Sequence, residues 1–95
     1  MLTDSEFQYR SCALFCEDAS LTGIAAAYGT PAYVYSKRGI ETKYHAYEDA
    51  LAGIPHRICY AVKANSNLGV LQTLAGLGAG FDIVSAGELF RVLKA

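Results

Sequence analysis

The segment from Ile58 to Leu93 limits the fold more than any other part of the chain, because it contains the same structural pattern twice. An apolar run, Ile58 to Val62, has the length and the β-branched and aromatic content of a buried strand, and Lys63 follows it. Capping side chains then precede leucines at helical spacing, and glycines end that stretch. This first half predicts a strand followed by a helix.

The second half of the segment predicts another strand and another helix. Phe81 to Val84 is a short apolar strand pattern. Ser85 and Glu88 stand at the S-x-x-E spacing of a capping box, which opens an amphipathic helix. The order strand, helix, strand, helix is typical of a parallel α/β fold and places Lys63 at the carboxyl end of its strand.

Lys63 is a candidate site residue because side chains at the carboxyl ends of parallel strands border the region where such folds bind ligands. An amine beside an apolar strand loses some preference for its charged form and can form a Schiff base with an aldehyde. The alternative is that Lys63 only extends its ammonium group from a strand end into solvent.

Three further polar residues of this segment, Asp82, Ser85 and Glu88, each have a functional and a structural interpretation. Asp82 needs a cation or hydrogen-bond donors within a strand, and adjacent carboxyl ends would bring Lys63 near it. A hydrogen bond to nearby backbone would satisfy Asp82 equally well. Glu88 can reach back to the backbone N–H of Ser85, so a helix cap is a sufficient role for both residues.

The residues before Ile58 predict two helices and several short strands. The predicted elements are one or two strands within Phe7–Cys16, a helix from Ser20 to Tyr28 ended by Gly29, a strand over Ala32–Tyr35, and a helix opened by Ser36 and ended by Gly53.

Composition excludes several classes of partner. The net charge is −1 and the basic residues are scattered, so neither nucleic acid nor a membrane is expected as a partner. The first ten residues lack the basic-then-apolar order of a secretory signal and no apolar run has the length of a membrane helix, so the cytoplasm is the expected compartment. Three cysteines without a C-x-x-C pair fit neither a disulfide framework nor a zinc site, and no metal is expected. Cys12 and Cys16 are interpreted as reduced thiols and Cys59 as a core residue.

Two motifs resemble a known family. YAVKANSN at Tyr60 to Asn67, followed by GAGFDIVSAGEL at Gly78 to Leu89, is similar to the amino-terminal signature of the diaminopimelate decarboxylases. LTGIAAAYGTPAYVYS at Leu21 to Ser36 resembles the segment that leads this family into its barrel. The resemblance implies the first βα units of a TIM-type, alanine-racemase-like barrel that binds pyridoxal 5'-phosphate, preceded by a segment of a β domain.

The resemblance also implies roles for individual residues. Lys63, the lysine of the AVKAN motif, would carry the cofactor, and Asp82 of the GFD motif would lie beside it. Ser85 and Glu88 would be candidates for supporting positions near the site. The implied reaction converts meso-2,6-diaminopimelate, a small amino acid, to L-lysine and carbon dioxide, in a protein that forms a homodimer.

At 95 residues the chain has two strand-helix units, whereas a closed barrel of this type has eight. We expect an incomplete barrel, with residues 1–30 as the amino-terminal segment and residues 31–95 as the start of the barrel domain. On its own the chain is expected to fold poorly and to be inactive. Two alternatives remain: a decarboxylase of the same fold that acts on ornithine, arginine or carboxynorspermidine, and a non-catalytic relic that binds pyridoxal phosphate or regulates.

Overall fold

The computed structural model describes residues 6–95, which belong to two compact units whose boundary along the chain falls between Gly39 and Ile40. The helices and strands, in chain order, are β1 (Phe7–Arg10), β2 (Ala13–Cys16), β3 (Ala19–Ser20), α1 (Leu21–Tyr28), α2 (Lys37–Ala50), β4 (Cys59–Ala61), a one-turn 3-10 helix (Val62–Ala64), α3 (Leu68–Gly76), β5 (Gly80–Asp82) and α4 (Ala86–Lys94). No described helix is both long enough and apolar enough to cross a membrane.

The first unit contains a three-stranded antiparallel sheet in the order β1-β2-β3. Arg10 pairs with Ala13, so only Ser11 and Cys12 connect β1 to β2, with φ of 51° and 67°. Positive φ at both residues is what a type I′ hairpin turn requires, and it matches the twist of the strands. The prediction of strands within Phe7–Cys16 is confirmed, whereas β3 was not predicted.

The helix α1 begins and ends as the sequence predicts. The hydroxyl of Ser20 accepts a hydrogen bond from the backbone N–H of Gly23 at 3.1 Å, which satisfies a donor that the first helical turn leaves unpaired. At the other end Gly29 has φ of 81°, a conformation that glycine adopts without steric cost.

The strand predicted over Ala32–Tyr35 is wrong. No strand of the described sheets pairs with this segment. Tyr33 and Tyr35 are exposed, and their rings stack with centroids 6.4 Å apart. Tyrosine and valine favour strands mainly by packing on a half-buried sheet, so their propensity does not decide the structure where no neighbouring strand is present.

The start of α2 is held by a residue far away in the sequence. Ser36, the predicted cap, accepts a hydrogen bond from the N–H of Gly39 at 2.9 Å. Its own hydroxyl donates to the carboxylate of Glu17 at 2.7 Å, and the N–H of Arg38 donates to the same carboxylate oxygen at 2.9 Å. These two bonds lower the pKa of Glu17, the one from the N–H of Arg38 most and the one from the hydroxyl of Ser36 next.

The second unit contains a parallel pair of strands, β4 and β5, with Tyr60 beside Phe81. The rings of these two residues meet edge to face, with centroids 6.5 Å apart. They pack against a buried cluster from α2 and α3, formed by Tyr44, Val70 and Leu74. Strand, helix, strand and helix therefore follow one another as predicted, and the α/β fold class is confirmed.

One cysteine prediction is wrong. Cys59 is exposed, although its place in an apolar strand predicts a core residue. Side chains alternate between the faces of a strand, and Tyr60 takes the face of β4 that the helices cover. Cys59 therefore lies on the opposite face, where it neighbours Gly80 on β5.

Candidate functional site

Lys63 lies in the 3-10 turn that directly follows β4. Its neighbour Val62 is completely buried, whereas Lys63 itself is exposed. Within the described part of the chain the Lys63 side chain takes part in no hydrogen bond or ion pair. The backbone beside the amine is thus anchored in the core, and the amine is available to a ligand.

Asp82 is the last residue of β5 and pairs with Ala61, the last residue of β4. The two strands therefore end at the same edge of the sheet, and Lys63 follows that edge by two residues. Asp82 is exposed and shares a face with Ala61, opposite the face on which Tyr60 packs. No ion pair joins Asp82 to Lys63 among residues 6–95, although the two residues lie at or just after the ends of adjacent strands at one edge of the sheet.

Ser85 and Glu88 cap α4, with one difference from the predicted geometry. The hydroxyl of Ser85 accepts a hydrogen bond from the N–H of Glu88 at 3.1 Å, as a capping box requires. The carboxylate of Glu88 accepts from the N–H of Val84 at 2.9 Å instead of from Ser85. Ser85 is fully extended, with φ of −148° and ψ of 159°, and the preceding N–H is the donor that the carboxylate meets.

The loop between Lys63 and α3 is fixed by its own asparagines. The side chain of Asn65 accepts a hydrogen bond from the N–H of Asn67 at 3.0 Å. The side chain of Asn67 in turn accepts from the N–H groups of Gly69 at 2.9 Å and Val70 at 3.3 Å, which makes it the N-cap of α3. The capping function predicted for this stretch is confirmed for Asn67.

Two further side chains donate hydrogen bonds to carbonyl groups of this loop, and the sequence analysis did not predict either contact. The hydroxyl of Tyr60 donates to the carbonyl oxygen of Asn65 at 2.9 Å. The Nε–H of Arg91 on α4 donates to the carbonyl oxygen of Ser66 at 2.7 Å. Arg91 is 25 residues from Ser66, and no sequence pattern marks a side chain that reaches a backbone carbonyl at that separation.

The residues of this site lie within a region that matches a known protein family. A family model described as "Pyridoxal-dependent decarboxylase, pyridoxal binding domain" matches residues 37–95, which include all four candidate residues. This chain belongs to that family. Pyridoxal phosphate is accordingly the cofactor of the family, as predicted.

Curated relatives narrow the resemblance. The chain is 65% identical over 89 residues to the diaminopimelate decarboxylase of Pseudomonas aeruginosa, a match that covers 94% of this chain and 21% of that protein. It is 60% identical over 82 residues to the diaminopimelate decarboxylase of Vibrio cholerae, covering 86% of this chain and 20% of that protein. The chain thus spans about a fifth of the length of the curated relatives it matches. The predicted resemblance is confirmed.

Solved structures agree in fold. A crystal structure of AQ1208 from Aquifex aeolicus matches with a TM-score of 0.86 and 46% identity, over 94% of this chain and 22% of that one. The diaminopimelate decarboxylase of M. jannaschii in complex with L-lysine matches with a TM-score of 0.85 and 33% identity, over 96% of this chain and 22% of that one. The two βα units of this chain therefore have the arrangement found in the corresponding fifth of those proteins.

Proposed function

We propose that this chain supplies the cofactor lysine of a pyridoxal-phosphate decarboxylase that converts meso-2,6-diaminopimelate to L-lysine and carbon dioxide. The observation that carries the proposal is the exposed, unpaired amine of Lys63 at the carboxyl edge of β4, within a sequence 65% identical to a diaminopimelate decarboxylase. The L-lysine bound to the M. jannaschii relative is the expected product of the same reaction, which supports this choice of substrate.

The residues at this edge suit pyridoxal phosphate chemically. Lys63 presents a primary amine, the group that condenses with the aldehyde of the cofactor. Asp82, on the neighbouring strand end, would offer a carboxylate to a cationic nitrogen near that amine. When bound, the cofactor supplies an electron-withdrawing ring that accepts the electrons of the broken bond.

The work of this chain is to hold the cofactor and to move a proton. Lys63 Nζ would bind the cofactor covalently until the amine of the substrate replaces it. The freed Nζ would then stand beside the carbon that loses its carboxylate and could exchange a proton with it. Ser85 and Glu88 would support this edge by fixing the start of α4, which begins four residues after Asp82.

Three other features belong to the proposal. The division at residues 30 and 31 would separate a β-domain segment from the barrel domain, and β4 with β5 would be its first strands. The active protein would be a homodimer, and its compartment the cytoplasm. The domain division and the homodimer follow from the family resemblance, the compartment follows from the sequence pattern, and none of the three follows from the site geometry.

The direct test uses the protein at the length that its gene encodes, here called the natural protein. Purified with pyridoxal phosphate, it should release carbon dioxide from meso-2,6-diaminopimelate and form L-lysine. Lys63→Ala should lower kcat by at least about a hundredfold, the lower end of what a positioned proton-transfer group contributes. Lys43→Ala, on the exposed side of α2, is the matched control and should leave kcat unchanged.

The same preparation separates the alternatives. Preference for ornithine, arginine or carboxynorspermidine in a substrate panel would replace diaminopimelate as the substrate. Borohydride reduction followed by peptide mass mapping should give one adduct, on Lys63. A selective Lys63 adduct without decarboxylation of any substrate would favour a non-catalytic binding protein, and labelling spread over all lysines would contradict the site itself.

A further inference from the structure

The loop that carries Lys63 is held at two successive carbonyl groups, and the two donors come from different βα units. Tyr60, which donates to the carbonyl of Asn65, belongs to β4, the strand that leads into the loop. Arg91, which donates to the carbonyl of Ser66, belongs to α4, the helix that follows β5. The Arg91 hydrogen bond therefore directly links the βα unit that contains Lys63 to the βα unit that contains Asp82.

The hydrogen bond from Arg91 to the Ser66 carbonyl is charge-assisted and directional. A charged donor at 2.7 Å from a carbonyl oxygen forms a shorter and stronger hydrogen bond than a neutral pair does. The Nε–H points in a fixed direction from the planar guanidinium group, so the bond restrains an angle as well as a distance. A lysine ammonium at the same position would keep the charge but lose this fixed direction.

The opposite end of the loop is already fixed. Val62 is fully buried beside Lys63, and the N–H of Asn65 donates to the carbonyl of Val62 at 3.1 Å. After the loop, Asn67 caps α3. The carbonyl of Ser66 lies between these anchors, and the only described side chain that holds it is Arg91.

We infer that Arg91 is a positioning residue that sets where the amine of Lys63 stands relative to Asp82. The inference rests on the proposed function, because it concerns the lysine that would hold pyridoxal phosphate. Arg91 itself touches the backbone of Ser66 and acts on the site through the loop. Arg91 is exposed, so removing its side chain should break this hydrogen bond without removing a buried apolar contact from either βα unit.

The test compares Arg91→Ala with Lys94→Ala in the natural protein. Lys94 is the matched control because it is an exposed cation on the same helix, and its ammonium lies over the Phe90 ring without a hydrogen bond to the loop. Hydrogen exchange of the backbone amides of residues 65–70, measured without cofactor, should become faster in Arg91→Ala only. Equal exchange in both variants would overturn the inference.

The consequence for the site is measured with the cofactor bound. Arg91→Ala should shift the pH at which the visible absorbance of the lysine-bound cofactor titrates and lower kcat by about 10- to 100-fold, the effect of misplacing a reacting group by about 1 Å. KM should change less than kcat, because Arg91 does not contact the substrate. Arg91→Lys should recover part of the activity and Lys94→Ala should resemble the unsubstituted protein.

The outcomes separate this inference from the proposed function. Unchanged absorbance titration and unchanged kcat in Arg91→Ala would overturn the positioning role. If the unsubstituted protein forms no borohydride-stable adduct on Lys63, the proposed function fails, and the role of Arg91 toward a cofactor lysine fails with it. The exchange result on residues 65–70 would then still show whether Arg91 holds the loop.

Discussion

The two compact units of this chain begin their helices and bury their apolar residues in different ways. In the first unit, the start of α2 depends on the carboxylate of Glu17, a residue 19 positions before Ser36. In the second unit, α3 and α4 are capped by Asn67 and Ser85, each within three residues of its partners. The start of α2 thus depends on a residue distant in the sequence, whereas α3 and α4 are capped by residues beside them in the sequence.

The distribution of buried side chains follows the same division. Five of the six buried hydrophobic residues in the described part of the chain lie in the second unit, and only Cys16 lies in the first. Apolar burial is the larger contribution to stability, whereas hydrogen bonds and exposed ion pairs add less. Substitutions should therefore have their largest effects in the core of residues 40–95 and their clearest pH dependence at polar contacts.

The largest effect is expected for Leu71→Ala. Leu71 is completely buried, and its truncation removes apolar contacts and leaves a cavity, which costs about 2–5 kcal/mol. Hydrogen exchange of the α3 amides in the natural protein should report this loss. Leu93→Ala is the matched control, since Leu93 is 76% exposed and should change the local stability by less than about 0.5 kcal/mol.

A smaller effect is expected for Asn67→Ala. The substitution removes the acceptor of two N–H groups in the first turn of α3 and should cost about 0.5–2 kcal/mol. The amides of Gly69 and Val70 should exchange faster, while those at the end of α3 should change little. Asn67→Asp preserves the acceptor and should preserve slow exchange; if it resembles the alanine variant, the cap is not the cause.

Glu17→Gln tests the remote cap of the first unit. Because the pKa of Glu17 is lowered on folding by the N–H of Arg38 and the hydroxyl of Ser36, its contribution is present above the unfolded pKa of about 4.5 and is lost as pH falls through the folded pKa. In the unsubstituted protein the amides in the first turn of α2 should therefore be less protected in acid, once the exchange rates are corrected for the intrinsic pH dependence of amide exchange. Glu17→Gln keeps an acceptor oxygen but loses the charge, so its protection should be lower than that of the unsubstituted protein at neutral pH and should change little further in acid.

The smallest effect is expected at His56, where the pH dependence has the opposite sign. Its Nδ1 lies 2.7 Å from the carbonyl of Ile54 and its Nε2 lies 2.6 Å from the carboxylate of Glu48. Both neighbours accept hydrogen bonds, so the doubly protonated ring is favoured and the pKa of His56 is raised, first by Ile54 and then by Glu48.

A raised pKa means that the stabilising contribution of His56 is complete below the unfolded pKa of about 6.5 and is lost as pH rises through the folded pKa. NMR titration of the ring in the natural protein should give a midpoint above 6.5, and Glu48→Gln should lower it. If Glu48→Gln does not change the midpoint, the ion pair with Glu48 is not a cause of the raised pKa of His56. The hydrogen bond to the Ile54 carbonyl would then be the remaining cause.

The comparison also explains which features could be predicted from the sequence. Caps such as Ser20, Asn67 and Ser85 act on residues two or three positions away, so residue type and spacing were sufficient to find them. The place of Lys63 could be predicted because it follows the end of an apolar run. That run ends at Val62, one residue after the end of β4 at Ala61.

Contacts across the fold could not be predicted in this way. Glu17 and Arg91 reach their partners across 19 and 25 residues, and nothing in their immediate sequence marks them. The turn at Ser11 and Cys12 has positive φ without the glycine or asparagine that usually announces it. The strand predicted over Ala32–Tyr35 was wrong because a strand depends on a partner that propensity does not describe.

The position of Cys59 gives the protein a natural site for chemical labelling. Burial, with the nearby charge of Glu17, raises the pKa of the Cys16 thiol, so alkylating reagents should modify the exposed Cys12 and Cys59 first. The Cys59 sulfur lies so close to Gly80 that a Cβ atom there would be 2.9 Å from it. The rate of maleimide addition to Cys59, read apart from Cys12 by peptide mass, therefore measures how far this face of the sheet is covered.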